Sequence, residues 1–97
     1  NFSAQDINEK LKAGVYFVRC PGVKAVFVED PSPKSQDFTF YILGEVFSVP
    51  LTGKDLVKDF LNRTTFFLED TNLDQSSVFF TQLVTTVVNS GYWYPDD

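Results

Sequence analysis

Cys20 is the only cysteine in the chain, so no internal disulfide can form and the fold must rest on its buried side chains. A chain of 97 residues leaves much of its surface in water, and small domains therefore depend on bulky core residues. Eleven phenylalanines and an aromatic content of 16% supply that bulk. The sequence thus predicts one small folded domain over residues 1–97.

Two segments carry the pattern that starts a helix. Ser3 precedes Asp6 by three residues, which is the spacing of a capping box, and apolar residues follow at helical intervals. We therefore expect a helix over residues 4–13. Thr52 and Asp55 repeat this spacing and predict the start of a second helix.

Residues 78–88 are rich in Val, Thr and Phe, a composition that favours a strand. Their periodicity favours a helix instead, because the apolar residues fall on one helical face: Phe79, Phe80, Leu83, Val84, Val87 and Val88. A strand would place adjacent apolar residues on opposite faces. We predict a helix, since periodicity outweighs a weak propensity.

The first half of the chain contains two short extended runs, at residues 15–19 and 23–29. Pro21 and Gly22 separate them, so we predict that the two runs form a hairpin. Residues 30–36 contain two prolines and polar side chains, which predicts an exposed loop.

A second hairpin is predicted from two alternating segments, at residues 38–42 and 46–51. Gly44 and Glu45 between them suit a two-residue turn. A short strand is expected at 64–68. The predicted order is therefore α-ββ-ββ-α-β-α. It indicates an α+β fold, a two-layer sandwich whose mostly antiparallel sheet of about five strands carries helices on one face.

The chain contains no histidine, which removes the commonest general base and metal ligand. Because Cys20 is the only cysteine, zinc sites built on paired cysteines are excluded. We interpret Cys20 as a half-buried strand residue. No glycine-rich phosphate loop occurs. The carboxylate clusters are interpreted as strand ends and helix caps: Glu29, Asp30, Glu69, Asp70, Asp74, Asp96 and Asp97. We therefore predict no catalytic, cofactor-binding or metal-binding residues and no enzymatic activity.

The balance of charge narrows the partners that the chain can bind. Eight basic residues stand against thirteen acidic ones, for a net charge of −5 and a pI near 4.5. Nucleic-acid binders gain affinity by neutralising phosphates with Lys and Arg, so we predict no nucleic-acid partner. No apolar run is long enough to cross a bilayer, so we predict no membrane partner either.

Three adjacent aromatic residues, Tyr92, Trp93 and Tyr94, are the best candidates for a contact surface. Consecutive side chains diverge in any regular conformation, so the core can hold only some of them. Tyr and Trp are also common anchors of protein interfaces. We predict that these residues bind a protein partner or a second copy. The alternative is that they form a closing strand or flap over the core.

The chain contains no methionine, even at position 1, which we interpret as processing or excision from a longer chain. We predict a non-enzymatic protein-interaction module, one domain of a larger or cleaved protein of viral or secreted origin. The alternative is an accessory or regulatory domain or subunit of a multi-component enzyme. Sequons begin at Asn1 and Asn62, and they matter only in a secreted chain.

Overall fold

A computed structural model describes residues 1–28, 36–68 and 78–97. It confirms the α+β class. The helices are α1 (Ala4–Lys12), α2 (Lys54–Asn62) and α3 (Val78–Asn89), and the strands are β1 (Tyr16–Arg19), β2 (Ala25–Phe27), β3 (Asp37–Ile42), β4 (Glu45–Pro50), β5 (Thr65–Phe66) and β6 (Trp93–Asp96). The predicted loop at 30–36 and the acidic residues 29, 30, 69, 70 and 74 lie outside the described residues, except for residue 36.

The first helix begins as its sequence predicts. The Ser3 hydroxyl accepts from the Asp6 amide, and the Asp6 carboxylate accepts from the Ser3 amide. This capping box satisfies two amides that have no partner within the helix. Ile7 and Leu11, one turn apart, are fully buried. These two residues therefore form the face of α1 that meets the core.

The strands form two antiparallel sheets of three strands each, rather than one sheet of about five. One has the order β5–β1–β6 and the other β2–β3–β4. The predicted hairpin of β1 with β2 is therefore wrong. Phe17 in β1 pairs with Phe66 and Pro95, which come from distant segments of the chain. The ring of Phe17 is buried, and a local hairpin would not provide these neighbours.

The second hairpin is confirmed. Phe38 and Phe40 pair with Val49 and Phe47, so the buried side chains of β3 and β4 share one face. The turn lies at residues 43–44 and not at 44–45. Both of its residues have positive φ, +50° and +83°, as a type I′ turn requires. That turn keeps Ile42 on the buried face, which a shift by one residue would reverse.

The second helix does not begin with a Thr52 side-chain cap. A 3₁₀ turn over Leu51–Gly53 leads directly into α2, and no side chain caps the helix start. Gly53 is buried there against an aromatic ring from α3. A Cβ on Gly53 would lie 2.2 Å from Cζ and 2.6 Å from Cε2 of Phe79. The absence of a side chain at Gly53 therefore lets α3 approach the start of α2.

Gly53→Ala is expected to lower the free energy of unfolding by about 1–3 kcal/mol, because the Phe79 ring must move. The negative φ of Gly53, −94°, is available to alanine, so the steric contact and not the backbone carries the effect. Chemical denaturation should show that the cost falls below about 0.5 kcal/mol in a Phe79→Ala background. The control is Gly44→Ala, where a Cβ would meet open space and φ is +83°. Its cost arises from the backbone and should therefore be the same with and without the Phe79 ring. An equal cost of Gly53→Ala in both backgrounds would contradict this contact.

The last long segment is a helix, as its periodicity predicts. The predicted residues Phe80, Leu83, Val84, Val87 and Val88 are buried, and only Phe79 is half-buried. The threonines that favour a strand by composition are accommodated by bonds to the preceding turn: Thr85 Oγ1 donates to the Thr81 carbonyl at 2.7 Å, and Thr86 Oγ1 donates to the Gln82 carbonyl at 2.9 Å.

The aromatic core is centred on Phe60 of α2. Its ring centroid lies 4.9 Å from that of Trp93, 5.1 Å from Phe66 and 5.6 Å from Phe80. These rings come from α2, α3, β5 and β6. One side chain therefore joins two helices to the β5–β1–β6 sheet, whose opposite face is available to solvent.

Candidate interaction surface

The structure separates the three adjacent aromatics predicted to bind a partner. Trp93 is 1% exposed and its ring stacks on Phe60 with an interplanar angle of 26°. Tyr92 is half-buried and packs against the core, while its carbonyl accepts from the Cys20 amide at 2.9 Å. Tyr94 is 47% exposed. Only Tyr94 thus offers a largely free ring, because alternate residues of β6 face opposite sides of its sheet.

The geometry of Trp93 matches the closing strand that the sequence left as the alternative to a docking surface. β6 pairs with β1 along its full length and brings the indole onto the aromatic core. No described residue accepts a hydrogen bond from Trp93 Nε1. A contact role for Tyr92 and Tyr94 stays a prediction, whereas the Trp93 ring is too deeply buried to reach a partner.

The solvent side of the β5–β1–β6 sheet carries six side chains in two rows, which we call the aromatic face. One row contains Phe67, Tyr16 and Asp96, and the other contains Thr65, Val18 and Tyr94. The rings of Tyr16 and Phe67 meet edge to face, with centroids 5.1 Å apart.

The sequence contained part of the signal for this face. Tyr16 and Val18 alternate with Phe17, so they should lie opposite the buried ring. The register that places Tyr94 beside Val18, and Asp96 beside Tyr16, joins the two ends of the chain. No local pattern predicts that pairing, and the sequence reasoning therefore missed Tyr16 and Phe67.

Basic side chains near the aromatic face are directed elsewhere. Arg19, on the other side of β1, donates from Nη1 to the Leu61 carbonyl at 2.7 Å and so satisfies the end of α2. Arg63 is 2.8 Å from the Asp59 carboxylate. In the part of the chain that the structure describes, no basic group lies within ion-pair distance of Asp96.

The neighbouring carboxylate, Asp97, is paired. The Lys10 ammonium donates to Asp97 Oδ2 and also lies 5.6 Å from the centroid of the Phe2 ring. The hydrogen bond from Lys10 lowers the pKa of the Asp97 carboxyl below its ordinary value. This contact joins α1 to the end of β6.

Lys10→Met is expected to raise the pKa of Asp97 toward its ordinary value, because the ammonium donor is lost. Since the folded-state pKa is depressed, the pair stabilises the fold above the unfolded pKa, and this stabilisation disappears as pH falls through the folded value. An NMR titration of the Asp97 carboxyl measures the change. Lys12→Met is the matched control and should leave the midpoint in place. An unchanged midpoint in Lys10→Met would contradict the pairing.

The described residues contain no group of three or more side chains able to hold a metal ion. Cys20 is half-buried and packs against the core. A groove of about 510 Å³ lies between α1 and α3, and the residues that line it include no acid–base pair: Ala4, Gln5, Asn8, Lys12, Val78, Thr81 and Gln82. No helix in the described ranges is long and apolar enough to cross a membrane.

The fold is similar to that of a segment of YcfD, a ribosomal oxygenase from Escherichia coli. For its complex with cobalt and succinic acid, the TM-score is 0.77 at 21% identity, over 99% of this chain and 24% of that chain. For its complex with cobalt and 2-oxoglutarate, the TM-score is 0.69 at 21% identity, with the same coverage. This chain thus spans about a quarter of those chains, and at this identity the likeness shows the fold alone. No protein-family model and no curated protein sequence matches the chain significantly.

Proposed function

We propose that this chain is a non-catalytic, protein-binding accessory domain of a larger enzyme. The observation that carries the proposal is the likeness to YcfD, in which a segment of this fold makes up 24% of a chain named a ribosomal oxygenase. The neighbours are thus named as enzymes, but the matched segment is a small part of each. This combines the interaction module predicted from the sequence with its alternative, an accessory domain of an enzyme.

The composition supports a non-catalytic role. The YcfD structures contain cobalt with succinic acid or 2-oxoglutarate. Non-haem iron oxygenases commonly hold their metal with two histidines and one carboxylate. This chain has no histidine, so its residues do not fit such a site. The metal and 2-oxoglutarate site of a related enzyme would lie in another part of the protein.

The size of the native polypeptide that contains this domain tests the accessory role. Because the likeness covers 24% of the YcfD chain, an antibody against this domain should detect a product roughly four times the 11.0 kDa of this chain, or co-precipitate an enzyme. A product of domain size with no associated enzyme would instead favour an independent interaction module.

Activity of the isolated chain tests the non-catalytic role. The purified chain, supplied with Fe²⁺, 2-oxoglutarate and O₂, should release no succinate. The positive control is YcfD under the same conditions. Succinate release that a point substitution in this chain abolishes would overturn the proposal.

A further inference from the structure

The aromatic face exposes three aromatic rings on one side of one sheet. Tyr16 is 48% exposed, Tyr94 is 47% exposed and Phe67 is 39% exposed. The pairing of β1 with β5 and β6 places all three on one side of one sheet. Contiguous apolar surface of this kind marks interaction sites in soluble proteins.

The charge on this face is of one sign. Among the described residues of this face, Asp96 is the only charged one, and it is exposed and stands beside Tyr16 in the register of β1 with β6. Asp97 is paired with Lys10, so the free carboxylate of this corner belongs to Asp96. The chain as a whole carries a net charge of −5. A cationic partner would therefore be attracted both at a distance and on contact.

We propose that the aromatic face binds an arginine-rich segment of another polypeptide. A guanidinium group is planar, stacks on aromatic rings and forms hydrogen bonds to a carboxylate at the same time. Tyr16 and Tyr94 supply the rings, and Asp96, opposite Tyr16 in the register of β1 with β6, supplies the carboxylate. This inference rests on the proposed protein-binding role and names the chemistry of the partner.

Other occupants fit the face less well. A nucleic acid could stack its bases on the rings, but its phosphates would be repelled by Asp96 and by the net negative charge. A second copy would bring two acidic domains together without supplying a free basic group from this face. The two rows contain no lysine or arginine.

Fluorescence anisotropy can measure the binding of a labelled peptide of repeated Arg-Gly pairs to the purified chain. We expect saturable binding that weakens as ionic strength rises. A Lys-Gly peptide of equal length should bind more weakly, because an ammonium group does not stack as a guanidinium does. A Glu-Gly peptide and a single-stranded oligonucleotide should not bind.

Substitutions locate the site and have matched controls on the other sheet. Tyr94→Ser should weaken binding of the Arg-Gly peptide about fivefold, by loss of one cation–π contact. Asp96→Asn should weaken it about threefold. Tyr41→Ser and Glu45→Gln make the same chemical changes at exposed positions in β3 and β4, and should alter binding less than about twofold.

NMR mapping on the unaltered chain keeps the test valid if a variant fails to fold. Addition of the Arg-Gly peptide should shift the amide signals of Tyr16, Val18 and Tyr94. Absence of binding, shifts confined to β2–β4, equal affinities in all four variants, stronger binding of the oligonucleotide, or self-association through this face would each overturn the inference. None of these results bears on the size of the native polypeptide or on the enzyme that co-precipitates with it, so the inference can fail while the accessory role stands.

Discussion

Replacing Phe60 with alanine is expected to lower the free energy of unfolding by about 3–5 kcal/mol. The ring is completely buried, and its centroid lies within 6 Å of those of Phe66, Phe80 and Trp93. Its removal leaves a cavity that rigid aromatic neighbours from one helix and two strands cannot readily fill. Small domains are stable by only about 5–15 kcal/mol, so this loss would be a large part of the total.

Urea denaturation followed by circular dichroism measures this effect. Fluorescence is a less suitable probe, because Trp93 stacks directly on the substituted ring. The matched control is Phe67→Ala, which truncates a ring that is 39% exposed and should cost less than about 2 kcal/mol. If both substitutions cost the same, the aromatic core is not centred on Phe60.

Trp93→Ala should also cost about 3–5 kcal/mol, and it should leave association with any partner unchanged where the protein remains folded. The indole is 1% exposed, so its role is to close the core and not to meet a partner. Trp93→Phe should cost clearly less, since a ring stays in place. Moreover, no described residue accepts from Nε1, so no hydrogen bond within that part of the chain is lost.

Thermal unfolding and analytical ultracentrifugation separate the two roles of Trp93. A large fall in melting temperature for Trp93→Ala, with unchanged sedimentation of the folded protein, supports the closing role. A normal melting temperature together with lost association would contradict it and would return Trp93 to the contact surface.

The elements that sequence reasoning predicted are those whose signals are local. The capping box of Ser3 and Asp6 depends on residues three positions apart. The helix at 78–88 follows from a repeated interval, and the alternation of Phe38 and Phe40 in β3 predicts a buried strand face. In each case the deciding contacts are made within one element or across one short turn.

The elements that it missed depend on distant partners. Thr52 has the right residue type and spacing for a cap, but the 3₁₀ turn replaces it where α3 presses Phe79 against Gly53. β1 has the composition of a hairpin strand, yet its neighbours are β5 and β6. The aromatic face could not be assembled from the sequence for the same reason, since Tyr16 and Tyr94 meet only through that sheet.

The pairing of β1 with β6 has a consequence for the order in which the chain folds. The β3–β4 hairpin is complete once a short stretch of chain has emerged during synthesis. The β5–β1–β6 sheet must wait for its last strand, which follows nearly all the rest of the sequence. Contacts so far apart in the chain close slowly. During that interval Phe60 lacks the indole that stacks on it, so this half of the core of a nascent chain would stay accessible to chaperones longest.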